Sequence, residues 1–185
     1  LDREGIPTRS RSSIILPSEV KSLIVHGIGS EPYNISIEVL LQGKNTLHLI
    51  EGIKILHKIM PKARVYFALN SQRKKILEEI KKLTCKFDWL EICSLEPKYP
   101  QGYDELLVPT ILKQKFPYGY SAANIGAVVL NLQAVLQVYE AVVEGKPLIE
   151  RTVALCGPAF KGPLHIKVRI GTVLKDVVSA RIKEG

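Results

Sequence analysis

Residues 115–162 read KFPYGYSAANIGAVVLNLQAVLQVYEAVVEGKPLIERTVALCGPAFKG, and the predicted fold is built outward from this stretch. Its apolar run at 125–130 is short and rich in Val, which predicts a buried strand. Apolar residues then recur at helical spacing over 132–143, and Gly145 and Pro147 end that helix. A second apolar run at 151–156 predicts another strand. Strand, helix and strand in succession predict a right-handed parallel crossover.

The segments before and after this stretch continue the alternation of strands and helices. Apolar runs predict strands at 22–28, 63–69 and 89–94, and helical periodicity predicts helices that begin near Asn45 and Ser71 and over 104–113. We therefore predict an α/β fold, a mostly parallel sheet with helices on both faces. We expect one domain over 1–163. Residues 164–185 then begin a small α+β module, truncated here, with a strand at 164–170 and a helix over 172–182 that turns Val173 and Leu174 inward.

The composition is that of an ordinary globular domain. Of the 185 residues, 46% are hydrophobic and 24% are charged. A chain of this length and composition can bury one hydrophobic core of ordinary size. The net charge of +8 is spread along the chain without interleaved aromatic residues, so we favour solvated helix faces over nucleic-acid binding. No apolar run is long enough to span a bilayer.

Standard catalytic and metal-binding signatures are missing from the sequence. It contains no G-x-G-x-x-G motif, no Walker loop and no nucleophile elbow. Its three cysteines are widely spaced, which predicts free thiols and no iron–sulfur or zinc cage within this segment. The loop at 27–32 follows a predicted strand, and ligands of open α/β sheets bind at such carboxyl ends.

Several tracts together resemble the RnfC family. The strongest are PQGYDELL at 100–107, KFPYGYSAANIGAVVLNLQAV at 115–135 and VVEGKPLIERTVALCGP at 142–158. Upstream, Ile6-Pro7-Thr8 resembles the family's Phe-Pro-Thr, and HGIGSEPY at 26–33 resembles Asn-Gly-Ala-Glu-Cys-Glu-Pro-Tyr. The resemblance covers nearly the whole chain, and the joint spacing of these tracts is specific.

This resemblance implies a fold like the FMN-binding domain of the complex I flavoprotein subunit, with FMN and NADH as cofactors. It also implies a cytoplasmic protein, peripheral on the inner face of the cell membrane, whose partners are other subunits of a membrane electron-transfer complex. Iron–sulfur clusters are implied only if a further domain lies downstream. The implied cofactor-binding residues are Gly5, Pro7, Thr8, Glu31, Lys98 and Asn131. From the residues alone, Asn131 is also placed to cap a helix, and Glu31 and Lys98 are placed to shape turns.

The sequence departs from the family at its phosphate loop and flavin contacts. Asp2 and Arg3 stand where the family has glycines, and Gly29 stands where it has an acid. Leu130 and Ala134 replace polar residues. These changes remove close backbone approach or polar partners, so we expect weak FMN binding or none. Two functions remain open: an RnfC-like electron-entry module, and an NqrA-like non-catalytic structural subunit that has lost FMN and NADH.

Overall fold

A computed structural model describes residues 15–29, 31–115, 117 and 119–183. Four parallel strands form an open sheet in the order β3-β2-β1-β4, namely β1 (Ser22–His26), β2 (Arg64–Asn70), β3 (Leu90–Leu95) and β4 (Ala127–Asn131). The helices are α1 (Ile37–Leu40), α2 (Asn45–Ile59), α3 (Lys74–Thr84), α4 (Asp104–Leu112), α5 (Leu132–Val143) and α6 (Leu174–Val178). The predicted fold class, a mostly parallel sheet with helices on both faces, is confirmed.

The direction of the chain across the sheet reverses once, and this reversal distributes the helices. From β1 the chain passes through α2 to β2 and through α3 to β3, and then α4 returns it to the far side of β1. Because such crossovers are right-handed, movement in opposite directions places the connecting helices on opposite faces. The buried clusters agree, since α2 and α3 share one core with α5, whereas α4 packs on the other face.

The larger core lies between the sheet and helices α2, α3 and α5. Phe67 of β2, Leu49 and Ile53 of α2, Ile80 of α3 and Val135 of α5 are all fully buried in it. The smaller core on the opposite face contains Ile24, Ala68, Ala127, Leu107 and Val108. Burial on both faces explains why the strands read as continuous apolar runs rather than as alternating patterns.

Helices α2 and α5 pack closely against each other at Gly52. A Cβ atom placed on Gly52 would lie 2.6 Å from the backbone carbonyl oxygen of Val135. The obstacle is main chain of α5 and not the end of a flexible side chain, so a larger residue requires the two helices to move apart. The absence of a side chain at Gly52 therefore sets the spacing of this helix pair.

One predicted pairing is wrong. The strand predicted at 151–156 exists as β5 (Glu150–Leu155), but it pairs antiparallel with β6 (Leu164–Arg169) in a separate two-stranded sheet. A strand inside a parallel sheet is buried on both faces, whereas Leu155 is the one buried residue of β5 and Arg151 is exposed. An antiparallel partner also needs only the short connection that leads to β6. The pair joins residues on both sides of the boundary predicted at 163, and that boundary stays a prediction.

One ion pair and one hydrogen bond connect this hairpin to α5, and two further ion pairs lie within the hairpin and at its start. Lys167 of β6 lies 4.0 Å from Glu140 of α5 and 3.4 Å from Glu150, and Lys146 lies 3.2 Å from Glu150. The hydrogen bond from Lys146 is the main cause of a lowered pKa at Glu150. Gln133 Nε2 of α5 also donates to the carbonyl oxygen of Thr152 at 3.2 Å. Because these charged groups are partly exposed to solvent, each ion pair contributes little to stability.

The ends of three helices differ from prediction. Helix α3 begins at Lys74 after Arg73, so Ser71 does not cap it, and α2 begins at Asn45 with Lys44 in the cap position. The helix predicted over 172–182 is α-helical only at Leu174–Val178, and Val173 and Leu174 are 60% and 69% exposed. A two-stranded hairpin offers too little surface to cover them. None of the helices among the described residues is long and apolar enough to cross a membrane.

Asn131 is the N-cap of α5. Its Oδ1 accepts a hydrogen bond from the backbone N–H of Ala134 at 2.8 Å, and its backbone is extended, as a cap requires. This contact satisfies one of the backbone donors that a helix start leaves without a partner in the helix. The helix-capping alternative for this residue is thus the one that the geometry shows.

We predict that Gly52→Ala destabilises the fold by about 1–3 kcal/mol, because the new methyl group forces α2 away from the main chain of α5. The free energy of unfolding in urea measures this. Gly162→Ala is the matched control, since a Cβ there meets none of the described atoms within 4 Å and the residue is exposed. Equal stability of the two variants would contradict the proposed role of Gly52.

We predict that Asn131→Ala lowers the free energy of unfolding by about 1 kcal/mol, because α5 loses its cap. Asn131→Asp should retain most of the stability, since a carboxylate also accepts the hydrogen bond from Ala134. Thermal unfolding followed by circular dichroism compares both with the parent chain. A neutral Asn131→Ala variant would show that the cap contributes nothing to stability.

Candidate functional site

A cleft of about 340 Å³ lies at the carboxyl ends of β1, β2 and β3. Parallel strands end at the same edge of the sheet, so the loops that follow them converge there. Three separate segments contribute its lining, which consists of Ile28, Gly29, Glu31, Pro32, Asn70, Pro97, Lys98 and Tyr99. The volume falls within the range of small-molecule sites, roughly 300–1,000 Å³.

Two of the residues singled out from the sequence meet in this cleft. Glu31 arrives from the loop after β1, and Lys98 arrives from the loop after β3. Lys98 Nζ lies 3.3 Å from a carboxylate oxygen of Glu96, and the two side chains are 76% and 74% exposed. A pair so exposed contributes little, so the ammonium group can exchange Glu96 for an anionic ligand at small cost.

The backbone at Gly29 is open towards the cleft. A Cβ placed there meets no atom of the described residues within 4 Å, and Gly29 also lines the cavity. A ligand can therefore approach the main chain of this loop closely. The same open space would accept a larger side chain, such as the acid that the RnfC family has at this position.

Sequence reasoning missed Asn70 as a lining residue. It is the last residue of β2, and its Oδ1 accepts a hydrogen bond from the backbone N–H of Gln72 at 2.8 Å. A polar amide that ends an otherwise apolar run, here RVYFALN, is the signal that predicts such a position.

The turn after β3 supplies an aromatic side chain and a buried polar atom. Tyr99 lines the cleft and is 68% exposed, so its ring face is accessible. Gln101 lies two residues further along, and its Oε1 is buried without a hydrogen-bond donor among the residues that the structure describes. A buried acceptor of this kind costs free energy unless a donor arrives from elsewhere.

Of the remaining predicted site residues, only Asn131 is among those that the structure describes, and it does not line this cleft. Asn131 ends β4 at the same edge, in register with His26 of β1, but it is not part of the cleft lining and caps α5 instead. Gly5, Pro7 and Thr8 lie outside the described residues. The cofactor-binding roles of all six predicted residues stay predictions.

Neither a metal cluster nor a disulfide accompanies the cleft in the described part of the chain. No three His, Cys, Asp or Glu side chains there gather closely enough to hold an ion. Cys85, Cys93 and Cys156 are free thiols. Burial raises the pKa of Cys93 to about 11, so this thiol stays protonated near neutral pH and is a poor nucleophile.

Comparisons with known proteins agree with the resemblance found in the sequence. One relative belongs to a proton-translocating ferredoxin:NAD(+) oxidoreductase complex of Clostridium ljungdahlii and is 31% identical over 86% of this chain and 35% of its own length. Another belongs to a Na(+)-translocating ferredoxin:NAD(+) oxidoreductase complex of Acetobacterium woodii and is 27% identical over 93% of this chain and 39% of its own. The chain thus spans little more than a third of the length of these relatives.

A solved structure shows the same fold at low sequence identity. An NAD+-reducing [NiFe]-hydrogenase in the H2-reduced state aligns with a TM-score of 0.70 and 18% identity, over 92% of this chain and 35% of the hydrogenase chain. The family model described as the Nuo51 FMN-binding domain matches residues 3–140, which is most of the chain. The chain therefore belongs to the Nuo51 FMN-binding domain family.

Proposed function

We propose that the chain is the nucleotide-binding part of an RnfC-like electron-entry subunit, and that its cleft takes NADH and FMN. The observation that carries this proposal is the convergence of Glu31, Asn70 and Lys98 from three loops on one cleft at the carboxyl ends of parallel strands. Family membership supports it, because the matching family is described by FMN binding. The relatives are named as parts of ferredoxin:NAD(+) oxidoreductase complexes, which exchange electrons between ferredoxin and NAD(+).

The chemistry of the lining residues fits a flavin or a nicotinamide nucleotide. Such ligands combine a planar ring, amide-like edges and phosphate groups. The cleft offers the ring of Tyr99, the carboxylate of Glu31, the amide of Asn70 and the cation of Lys98. The described residues therefore fit both the ring and one anionic group.

Each of these side chains has a binding role in the proposal. Glu31 accepts hydrogen bonds from amide N–H groups of the ligand, and Lys98 leaves Glu96 to pair with an anionic group. Tyr99 offers a ring face for stacking. FMN, when bound, supplies the chemistry that takes a hydride from NADH and releases electrons singly.

The proposed partners and location follow from the relatives. We propose that the chain works with other subunits of a membrane-associated, ion-translocating electron transport complex, as the names of the relatives state for those proteins. We also propose that it is cytoplasmic and peripheral on the inner face of the cell membrane. Iron–sulfur clusters belong to the proposal only if a further domain lies downstream.

A second candidate function is an NqrA-like structural subunit that keeps the fold without the cofactors. The specific observation in its favour is the phosphate loop, where Asp2 and Arg3 replace glycines and Glu4 adds a further negative charge. The cap of α5 also uses the Oδ1 atom of Asn131, which leaves only the amide N–H groups of this side chain for a ligand. Both functions predict the same fold and differ in ligand affinity.

We predict that the parent chain binds FMN weakly and that the triple variant Asp2→Gly, Arg3→Gly, Gly29→Glu binds it more tightly. Two restored charge-assisted hydrogen bonds, at roughly 1.5–3 kcal/mol each, correspond to a gain of about two to four orders of magnitude in affinity. Quenching of flavin fluorescence measures both dissociation constants. A variant with Gly162→Glu in place of Gly29→Glu is the matched control, because both glycines face open space.

The outcomes separate the two candidate functions. No FMN binding by the parent or by the triple variant would favour the structural subunit. Sub-micromolar binding by the parent chain would contradict the expected weakening and would support electron entry directly.

We predict that Lys98→Ala lowers the affinity of the triple variant for FMN or NADH by about tenfold, because an anionic group loses its cation. Isothermal titration calorimetry measures the change. Lys175→Ala in the same background should have no effect, since Lys175 is also exposed and lies on α6. Equal losses in the two variants would remove Lys98 from the site.

A further inference from the structure

The edge of the sheet opposite the cleft carries a group of exposed lysines. We call this group the basic face and define it as Lys58, Lys62, Lys81, Lys82 and Lys86, each of which is exposed. They come from two helices and two turns, and they are not contiguous in the sequence.

Chain topology brings these lysines together. Helices α2 and α3 connect parallel strands, so each runs antiparallel to the strands and ends at the amino edge of the sheet. Lys58 lies in the last turn of α2, and Lys81 and Lys82 lie in the last turn of α3. Lys62 and Lys86 follow in the turns that lead into β2 and β3. Adjacent registers of β1, β2 and β3 keep these ends level.

The lysines of the basic face form no ion pairs with described residues, although the carboxylate of Asp88 lies in the same region and acts on His57. Two neighbouring cations are paired, Lys54 with Glu51 at 2.6 Å and Arg64 with Glu91 at 2.8 Å. No carboxylate among the described residues lies within 4.0 Å of the ammonium group of any lysine in the basic face. Like charges held at one edge raise the local potential and attract an anionic surface.

Apolar and aromatic side chains lie among these lysines. Ile59, at the end of α2, is 52% exposed. The ring of Trp89 stacks on His57 at 4.0 Å and on Phe87 at 5.1 Å between centroids, and all three rings are half-buried. Lysines around Trp, Phe and an exposed Ile form the combination that favours the headgroup region of a lipid bilayer.

We propose that the basic face docks this protein onto an anionic phospholipid surface. Lysine side chains are long and flexible, so they can follow lipid headgroups that move. Binding of a single anion in a fixed planar geometry favours Arg instead. Neither the cleft nor a second cavity, which is lined by β5 and β6, includes a lysine of the basic face in its lining. These two cavities therefore do not make the basic face a binding pocket for a small ligand. Docking by this edge leaves the cleft at the carboxyl ends of the strands open to solvent. The proposal does not depend on whether the cleft takes FMN.

Co-sedimentation of the purified chain with lipid vesicles tests the proposal. We expect binding to vesicles that contain phosphatidylcholine and phosphatidylglycerol in a ratio of about 3:1, and little binding to vesicles of phosphatidylcholine alone. The reason is that each lysine contributes favourable binding free energy only near anionic lipid. Binding should weaken at about 1 M salt, where the screening length falls to about 3 Å. Replacing Lys58, Lys62, Lys81 and Lys82 by Gln should lower the bound fraction by about tenfold or more.

A second variant with the same loss of charge separates the basic face from net charge. It replaces Lys44, Lys115, Lys175 and Lys183, which are exposed and lie outside the basic face, by Gln. We expect this control to bind vesicles nearly as well as the parent, with both variants keeping the parent's circular dichroism spectrum. Equal losses in the two variants, or no binding by the parent, would overturn the proposal. Retention on polyglutamate beads without vesicle binding would also overturn it and would assign the face to an acidic protein.

Discussion

The parallel pairing of β1 with two neighbours is the constraint on which the rest of the structure depends. Residues Ser22–His26 pair with 64–68 of β2 on one side and with 127–131 of β4 on the other. Leu23, Ile24 and Val25 are fully buried as a result. Because parallel strands all start at one edge and end at the other, this pairing gives the molecule two chemically distinct edges. The carboxyl edge holds the cleft, and the amino edge holds the basic face.

Two glycines allow the helices and the loop after β1 to pack closely around this sheet. Gly52 lets α2 lie against the main chain of α5. Gly27 directly follows β1, and a Cβ there would meet the side chains of Ile37, Leu132 and Leu69 at 2.8–3.3 Å. The loop that carries Gly29 and Glu31 therefore leaves the sheet from a densely packed point, which fixes one wall of the cleft.

Fold and ligand chemistry have separate determinants in this chain. Gly29, one of the positions where the sequence departs from the RnfC family, is not part of either buried core. Gly29 faces open space among the described residues, so its difference from the family's acid changes no packing there. A chain can thus keep this architecture while the affinity of its cleft changes, which is why function has to be argued from the site itself.

The sequence by itself determined the four parallel strands, the long helices and the stop at Gly145, because burial on both faces and helical periodicity leave direct patterns in residue type. It also placed Glu31 and Lys98 after strands. Only the tertiary structure decided the partner of β5, since strand propensity does not say which neighbouring strand it will pair with. The charged residues at the start of β5 do not suit a position inside the buried parallel sheet. Likewise, the convergence of Glu31 and Asn70 on one cleft depends on contacts between segments far apart in the chain, and so does the gathering of distant lysines. Such contacts follow from strand order and helix direction, which local patterns do not encode.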